Sequence, residues 1–299
     1  MTKSIETLSK DVYDVLDASK DHEPNAPALA GVQDRIGMEF TKATEKRDKP
    51  RMLGRLWASD LGKPCMRQHW YNFNEPQYGE KLNGHTKFKF LYGNLLEEAV
   101  LWLAEEAGHT VLGQQDSVSL NVDEDWVISG RIDGVIDGTL IDVKTTSSYG
   151  YKKYTTEGLD ATNDTFGYLY QLGFYHGFND FEYEVRGVPG FVWIDKQNGH
   201  IAYTEVEVPS PGDILDRAKH IITAVSSDEV DTERAFTPEP FGKSGNMKLP
   251  MACSYCSFKE RCHRDANNGD GLRTFVYSHG PVFLTEVNRQ PAQTVQEIT

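Results

Sequence analysis

Residues 126–146 read Trp-Val-Ile-Ser-Gly-Arg-Ile-Asp-Gly-Val-Ile-Asp-Gly-Thr-Leu-Ile-Asp-Val-Lys-Thr-Thr, two β-rich runs joined by Asp137-Gly138. Asp-Gly between apolar residues predicts a tight hairpin, because a type I′ turn needs positive φ at both central positions. Counting outward from that turn sets Ile136 against Thr139, Val135 against Leu140 and Gly134 against Ile141, and brings Asp133 opposite Asp142. Opposed side chains on a strand pair have Cβ atoms about 5 Å apart. Lys144 lies two residues past Asp142 and so points to the same face.

Two carboxylates facing each other repel. One must protonate or find a cation. A divalent ion such as Mg²⁺ or Mn²⁺ takes oxygen ligands and keeps waters that a phosphate can displace or that can be activated for attack. Lys144 would then either orient the attacking water or neutralise charge on the phosphate.

Gly-Arg-Ile-Asp-Gly at 130–134 and Ile-Asp-Val-Lys-Thr at 141–145 resemble motifs II and III of the PD-(D/E)XK nuclease superfamily, in particular its RecB-like branch, whose third motif reads (D/E)-x-K. The resemblance implies an α/β, restriction-endonuclease-like core with a mixed central sheet flanked by helices. It implies Asp133, Asp142 and Lys144 as catalytic residues, with both aspartates as metal ligands.

The net charge of −14 argues against a protein that coats nucleic acid through bulk electrostatics. It leaves room for a local basic groove. Candidates to line it are Lys63, Arg67, Lys87, Lys89, Arg131, Lys152 and Lys153, of which Arg67, Arg131, Lys152 and Lys153 are taken as DNA-binding. No apolar run reaches the roughly 18 residues of a membrane span, and the N-terminus lacks a secretory core. A cytoplasmic protein with reduced thiols is expected.

Along the chain, helices are predicted over 3–18 and from about Ala28 to Lys46, with a charged loop at 45–50. A long helix over 86–107 stops at Gly108. On it Glu97 shares a face with Gly93, Val100, Leu101 and Ala104, whereas Glu98 falls on a wetter face with Asn94, Trp102 and Glu105. Glu97 is therefore the inward carboxylate, and Gly93 to Glu97 matches the Gly-x-x-x-Glu that often forms motif I, which makes it a third metal ligand. His109 just beyond is read as structural.

A strand is predicted over 110–121, and 147–162 reads as a polar stretch in which Tyr149, Tyr151 and Tyr154 alternate with Lys152 and Lys153. Those tyrosines suit stacking on single-stranded bases and suit ordinary packing equally. Asp164 can cap a helix reaching Phe178. On it Gln171 and Tyr175, four apart, share a face and match the Gln-x-x-x-Tyr motif that follows the lysine in RecB-like nucleases, where they would orient a metal-bound water or the substrate. Strands over 181–194 and 200–208 and a helix from Pro211 to about Ser226 follow. The element order fits an α/β core with a mixed sheet.

Three of the four cysteines, Cys253, Cys256 and Cys262, fall within ten residues of each other, after a Pro/Gly-rich linker over 228–250. In a reducing cell that points to a metal. Zinc accepts four thiolates; so does a 4Fe-4S cubane. Spacing alone leans to zinc. One upstream cysteine, Cys65, followed by Arg67, Trp70 and Tyr71, plus a C-terminal Cys-x2-Cys-x5-Cys, resembles the iron–sulfur exonucleases of the CRISPR-associated "Cas four" type and the AddB nuclease domain. That implies a 4Fe-4S cluster held by Cys65, Cys253, Cys256 and Cys262. Residues around 274–278 and 281–285 can pair about His279-Gly280, and 288–299 read as a frayed tail.

The expected organisation is an N-terminal helical extension (1–54), a nuclease core (55–228), a linker and cysteine cluster (229–265) and a C-terminal hairpin and tail (266–299). The expected activity is a metal-dependent DNA exonuclease, 5′→3′ on single strands or DNA ends, in phage recombination or CRISPR-type processing. A phage recombination or CRISPR adaptation protein is the expected partner, and a homo-oligomer is open. The alternative is a catalytically silent DNA-end or partner-binding module on the same fold.

Overall fold

The computed structural model describes residues 3–18, 23–44, 52–81, 84–231, 233–278 and 280–298. They form two units. The described residues of Met1–Lys49, Gly54–Gly62 and Leu82–Ala218 make the first; those of Pro50–Leu53, Lys63–Lys81 and Lys219–Thr299 make the second. The expected loop at 45–50 lies outside the described residues.

The first unit holds strands β1 (Arg55–Trp57), β2 (Val111–Leu112), β3 (Ser117–Asn121), β4 (Val127–Arg131), β5 (Gly134–Ile136), β6 (Thr139–Thr146), β7 (Gly190–Asp195) and β8 (Ile201–Glu205). The central sheet runs β2-β5-β6-β7-β8, and a smaller one runs β1-β4-β3. Only β6 and β7 pair in parallel within the central sheet, so it is mixed. Their crossover carries the helices Ser148–Thr156 and Tyr168–Phe178, as a parallel pair requires.

The hairpin has the expected register, Ile136 to Thr139 through Gly134 to Ile141. Asp137 and Gly138 take φ of 53° and 89°. The strained aspartate is held in place. Its Oδ2 lies 2.7 Å from Nδ1 of buried His109, and its Oδ1 accepts from the Thr110 amide at 3.0 Å. His109 thus has the structural place expected of it, its Nε2 3.3 Å from Asp11.

The helix Gly84–Glu106 ends as Gly108 predicts. At φ 84°, Gly108 donates to the Glu105 carbonyl and His109 to that of Ala104, the paired bonds of a Schellman stop. Its inner residues Val100, Leu101 and Ala104 pack with Leu8 and Val12 of the helix Leu8–Asp17 against Ile136, Ile141, Val143 and Val192 of the sheet. The N-terminal segment is therefore part of this core.

Four sequence expectations need correction. The strand expected over 110–121 is two strands in different sheets, because Gly113 and Gln115 at φ 65° and 67° turn the chain between them. Of 181–194 only Gly190–Asp195 is strand, buried throughout. The stretch 147–162 contains a helix, capped by the Ser147 hydroxyl. The tail is not wholly frayed: Gln296–Ile298 is a strand that pairs with residues 274–276.

The second unit contains the helix Met66–Asn74 and a sheet of β9 (Glu239–Phe241), β10 (Asn246–Lys248), β11 (Arg273–Tyr277), β12 (Gly280–Glu286) and β13 (Gln296–Ile298), ordered β13-β11-β12-β10-β9. β11 and β12 form the expected C-terminal hairpin, with His279 outside the described residues. Phe275, Val282 and Leu284 make its small core. No described helix is long and apolar enough to cross a membrane.

Candidate active site

Strand alternation brings Asp142 and Lys144 to one face of β6, where the Lys144 ammonium pairs with Asp142 Oδ2. Asp142 is only 1% exposed. Asp133 stands one residue before β5, and its Oδ2 accepts from the Val143 amide at 2.7 Å. Glu97 arrives from the long helix. That helix lies close to β6 because position 93 is glycine: a Cβ there would sit 3.3 Å from Thr145 Oγ1. Gln115 Nε2 donates to Glu97 Oε1 at 3.2 Å. Glu98, assigned to the wet face by periodicity, is instead buried, with Oε2 2.5 Å from Arg35 Nε.

These groups perturb one another strongly. Burial, and then the charge of Asp133, push Glu97 up to about 10. Burial, and then Asp142, push Asp133 up to about 7. Burial works against the charge of Lys144, but Asp142 and Asp133 outweigh it and raise its pKa. Three carboxylates face one ammonium in this partly buried site, so the carboxylates cannot all ionise without a further counter-charge. A divalent cation with a preference for carboxylate oxygen supplies that counter-charge, so the donor set fits Mg²⁺ or Mn²⁺. Among the described residues no three His, Cys, Asp or Glu side chains already stand at the spacing of a shared single ion.

Gln171 and Tyr175 join this cluster. Gln171 Nε2 lies 3.4 Å from Asp142 Oδ1 and 3.3 Å from the Tyr175 hydroxyl. Tyr175 reaches in over Gly130, where a Cβ would come within 2.6 Å of its hydroxyl. Asp164 caps the helix that carries them from a distance: its carboxylate accepts from the amides of Gly167, Tyr168 and Leu169, and the helix starts at Tyr168. One neighbour was missed from sequence. The Tyr168 ring centroid lies 5.1 Å from the Lys144 ammonium, and burial pushes its hydroxyl up to about 12. Its position three residues before Gln171 on the same helix face was the available signal.

The expected DNA-binding residues are not all together. Arg131 is exposed at the end of β4, and Lys152 is exposed on the helix Ser148–Thr156. Lys153 lies over the Tyr154 ring, 5.6 Å from its centroid. Tyr154 itself is buried and stacked on Trp193 at 4.5 Å, so it packs rather than offers a face to bases. Arg67 belongs to the second unit, where its Nη2 donates to the Tyr71 hydroxyl at 3.1 Å.

All four cysteines also lie in the second unit, as free thiols. Burial, then the neighbouring Cys65, Cys256 and Cys262, push Cys253 up to about 12. Burial pushes Cys256 up to about 11, against the Phe258 amide that donates to its sulfur at 3.4 Å. The four therefore share one neighbourhood. Arg234 Nη2 donates to the Cys262 carbonyl at 2.6 Å and pairs with Asp265 at 2.5 Å. Nothing in the sequence near Arg234 marked it. The absence of a ready single-ion site among the described residues extends to these thiols.

A mixed α/β sheet whose hairpin carries two aspartates and a lysine, overlaid by a helical glutamate, has the fold and donor set of a metal-dependent nuclease. The chain belongs to the PD-(D/E)XK nuclease superfamily, whose family model matches residues 41–263. A solved structure described as "Crystal structure of SSO0001" is similar at a TM-score of 0.47 and 16% identity, over 74% of this chain and 91% of its own. No curated protein sequence matches the chain significantly.

Proposed function

We propose that the protein is a metal-dependent deoxyribonuclease of RecB-like type that degrades DNA from its ends. The observation that carries this is the convergence of Glu97, Asp133, Asp142 and Lys144, drawn from a helix and both strands of one hairpin. Glu97, Asp133 and Asp142 would hold Mg²⁺ or Mn²⁺, which when bound supplies a Lewis acid and an activated water. Flanked by two carboxylates, Lys144 keeps its proton. Lys144 would place its positive charge toward the phosphate, or orient or help activate the water. Gln171, held by Asp142 and Tyr175, would set the position of the substrate or water. Degradation of end-labelled single- and double-stranded DNA with Mg²⁺ or Mn²⁺, comparing wild type with Lys144→Ala, tests this. Loss in the variant with the fold intact supports it. A wild type that cuts neither substrate, with its cysteine site loaded and under anaerobic conditions, overturns it in favour of a silent binding module.

From the motif resemblance we further propose a 4Fe-4S cluster on Cys65, Cys253, Cys256 and Cys262, whose thiols lie near one another in the second unit. Iron and sulfide content against zinc content of the purified protein decides between the two metals. The proposal extends to 5′→3′ polarity, a phage recombination or CRISPR adaptation setting with a partner protein from it and a cytoplasmic location, with a homo-oligomer left open.

A further inference from the structure

Exposed aromatic side chains flank the carboxyl end of β6. Phe90 stands seven residues before Glu97 on the long helix, two turns and about 10 Å away on the same stripe. Gly93, between them, faces Thr145 of β6. Phe90 is 57% exposed. On the other side, Tyr149 opens the helix that follows β6 and is 80% exposed. Hydrogen bonds tie the two sides to the same strand end. The Tyr92 hydroxyl donates to the Lys196 carbonyl, the Lys196 amide to the Thr146 carbonyl, and the Ser148 amide to Gln197. From Lys144 to Thr146 along the strand is about 7 Å. Lys87 and Lys89 are exposed on the turn that precedes Phe90, and Lys152 on the helix that carries Tyr149. Rings interleaved with lysines complement bases interleaved with phosphates.

We infer that Phe90 and Tyr149 form a base-stacking platform for a single DNA strand leading into the carboxylate–lysine site, with Lys89 and Lys152 on its phosphates. The inference rests on the nuclease reading for what lies at the strand's end, but stacking itself needs no hydrolysis. Duplex DNA keeps its bases covered, so the platform selects single strands.

The test is fluorescence anisotropy with end-labelled oligo-dT and a blunt duplex, in Ca²⁺ and with the cysteine site loaded. Wild type, Phe90→Ala, Tyr149→Ala and the conservative Phe90→Trp and Tyr149→Phe are compared. Each alanine should weaken single-strand binding at least about 5-fold, the lower end of what a lost base–aromatic stack costs. Duplex binding should be unchanged and the conservative variants should bind as wild type. Equal weakening on both substrates, no weakening on either, or a change only in oligomeric state overturns the platform. Because binding is read without turnover, a wild type that binds through these rings but cuts nothing would sink the nuclease reading and leave the platform standing.

Discussion

Asp142 carries two partners in a site almost closed to water, the ammonium of Lys144 and the amide of Gln171. Replacing Lys144 by Ala strips the positive charge from a buried carboxylate cluster. Turnover should fall by about 10²–10³-fold, the usual effect of removing one preorganised charge or donor at a reacting phosphate or carbonyl, measured as kcat on end-labelled DNA. Gln171→Ala should cost less and act mainly on KM if Gln171 positions substrate. Titration gives a further prediction. Asp133 and Glu97 have folded pKa values raised to about 7 and about 10 from 3.8 and 4.5. The folded state therefore binds protons more tightly than the unfolded one, and stability is lost as pH rises through that window. The metal-free protein should show a falling Tm between pH 5 and pH 8, and Mg²⁺ or Mn²⁺ should raise Tm more at pH 8 than at pH 5. Asp133→Asn should flatten the slope by differential scanning calorimetry; an unchanged slope would mean the carboxylates are not coupled as drawn.

Among the elements, close approach matters as much as charge. Gly62 and Gly167 meet backbone to backbone: a Cβ on Gly62 would lie 2.2 Å from the Gly167 Cα and carbonyl oxygen. Gly62→Ala should destabilise by more than the about 1–3 kcal/mol typical of overpacking, because backbone cannot rotate away; urea unfolding checks this. A Cβ on Gly130 would meet the Tyr175 side chain at 2.6 Å and the Ala58 Cβ at 2.8 Å. Gly130→Ala should therefore lower Tm and also displace Tyr175, and with it Gln171, so that activity of the remaining folded protein falls as well. The hairpin was legible in the sequence because its register is set by two turn residues and counting. The Gln171–Tyr175 pairing was legible because it lies within one helix. Glu98 was misjudged for the opposite reason: periodicity sees one helix, and Arg35 comes from another. β13 was missed because its pairing with β11 joins residues distant in sequence. The break between β2 and β3 had a sign in Gly113, but nothing local marks Gln115 for a positive φ.

At the scale of the whole molecule, the cysteines and the carboxylates belong to different units. If the cysteines hold a metal as proposed, a chelator that strips it should therefore lower the stability of the second unit first. Hydrogen exchange is the direct check, with amides of β11 and β12 losing protection before those of β6 and β7. The second unit is also discontinuous: residues 63–81 must wait for those after 218. A chain emerging from the ribosome has made Glu97, Asp133, Asp142, Lys144 and the Gln171–Tyr175 pair while Cys253, Cys256 and Cys262 are still unmade. The hydrolytic half is thus synthesised ahead of its companion, and Cys65 spends that interval as a thiol with no sulfur partner. A chain truncated before residue 219 should therefore be cut by protease within residues 63–81 faster than the full chain.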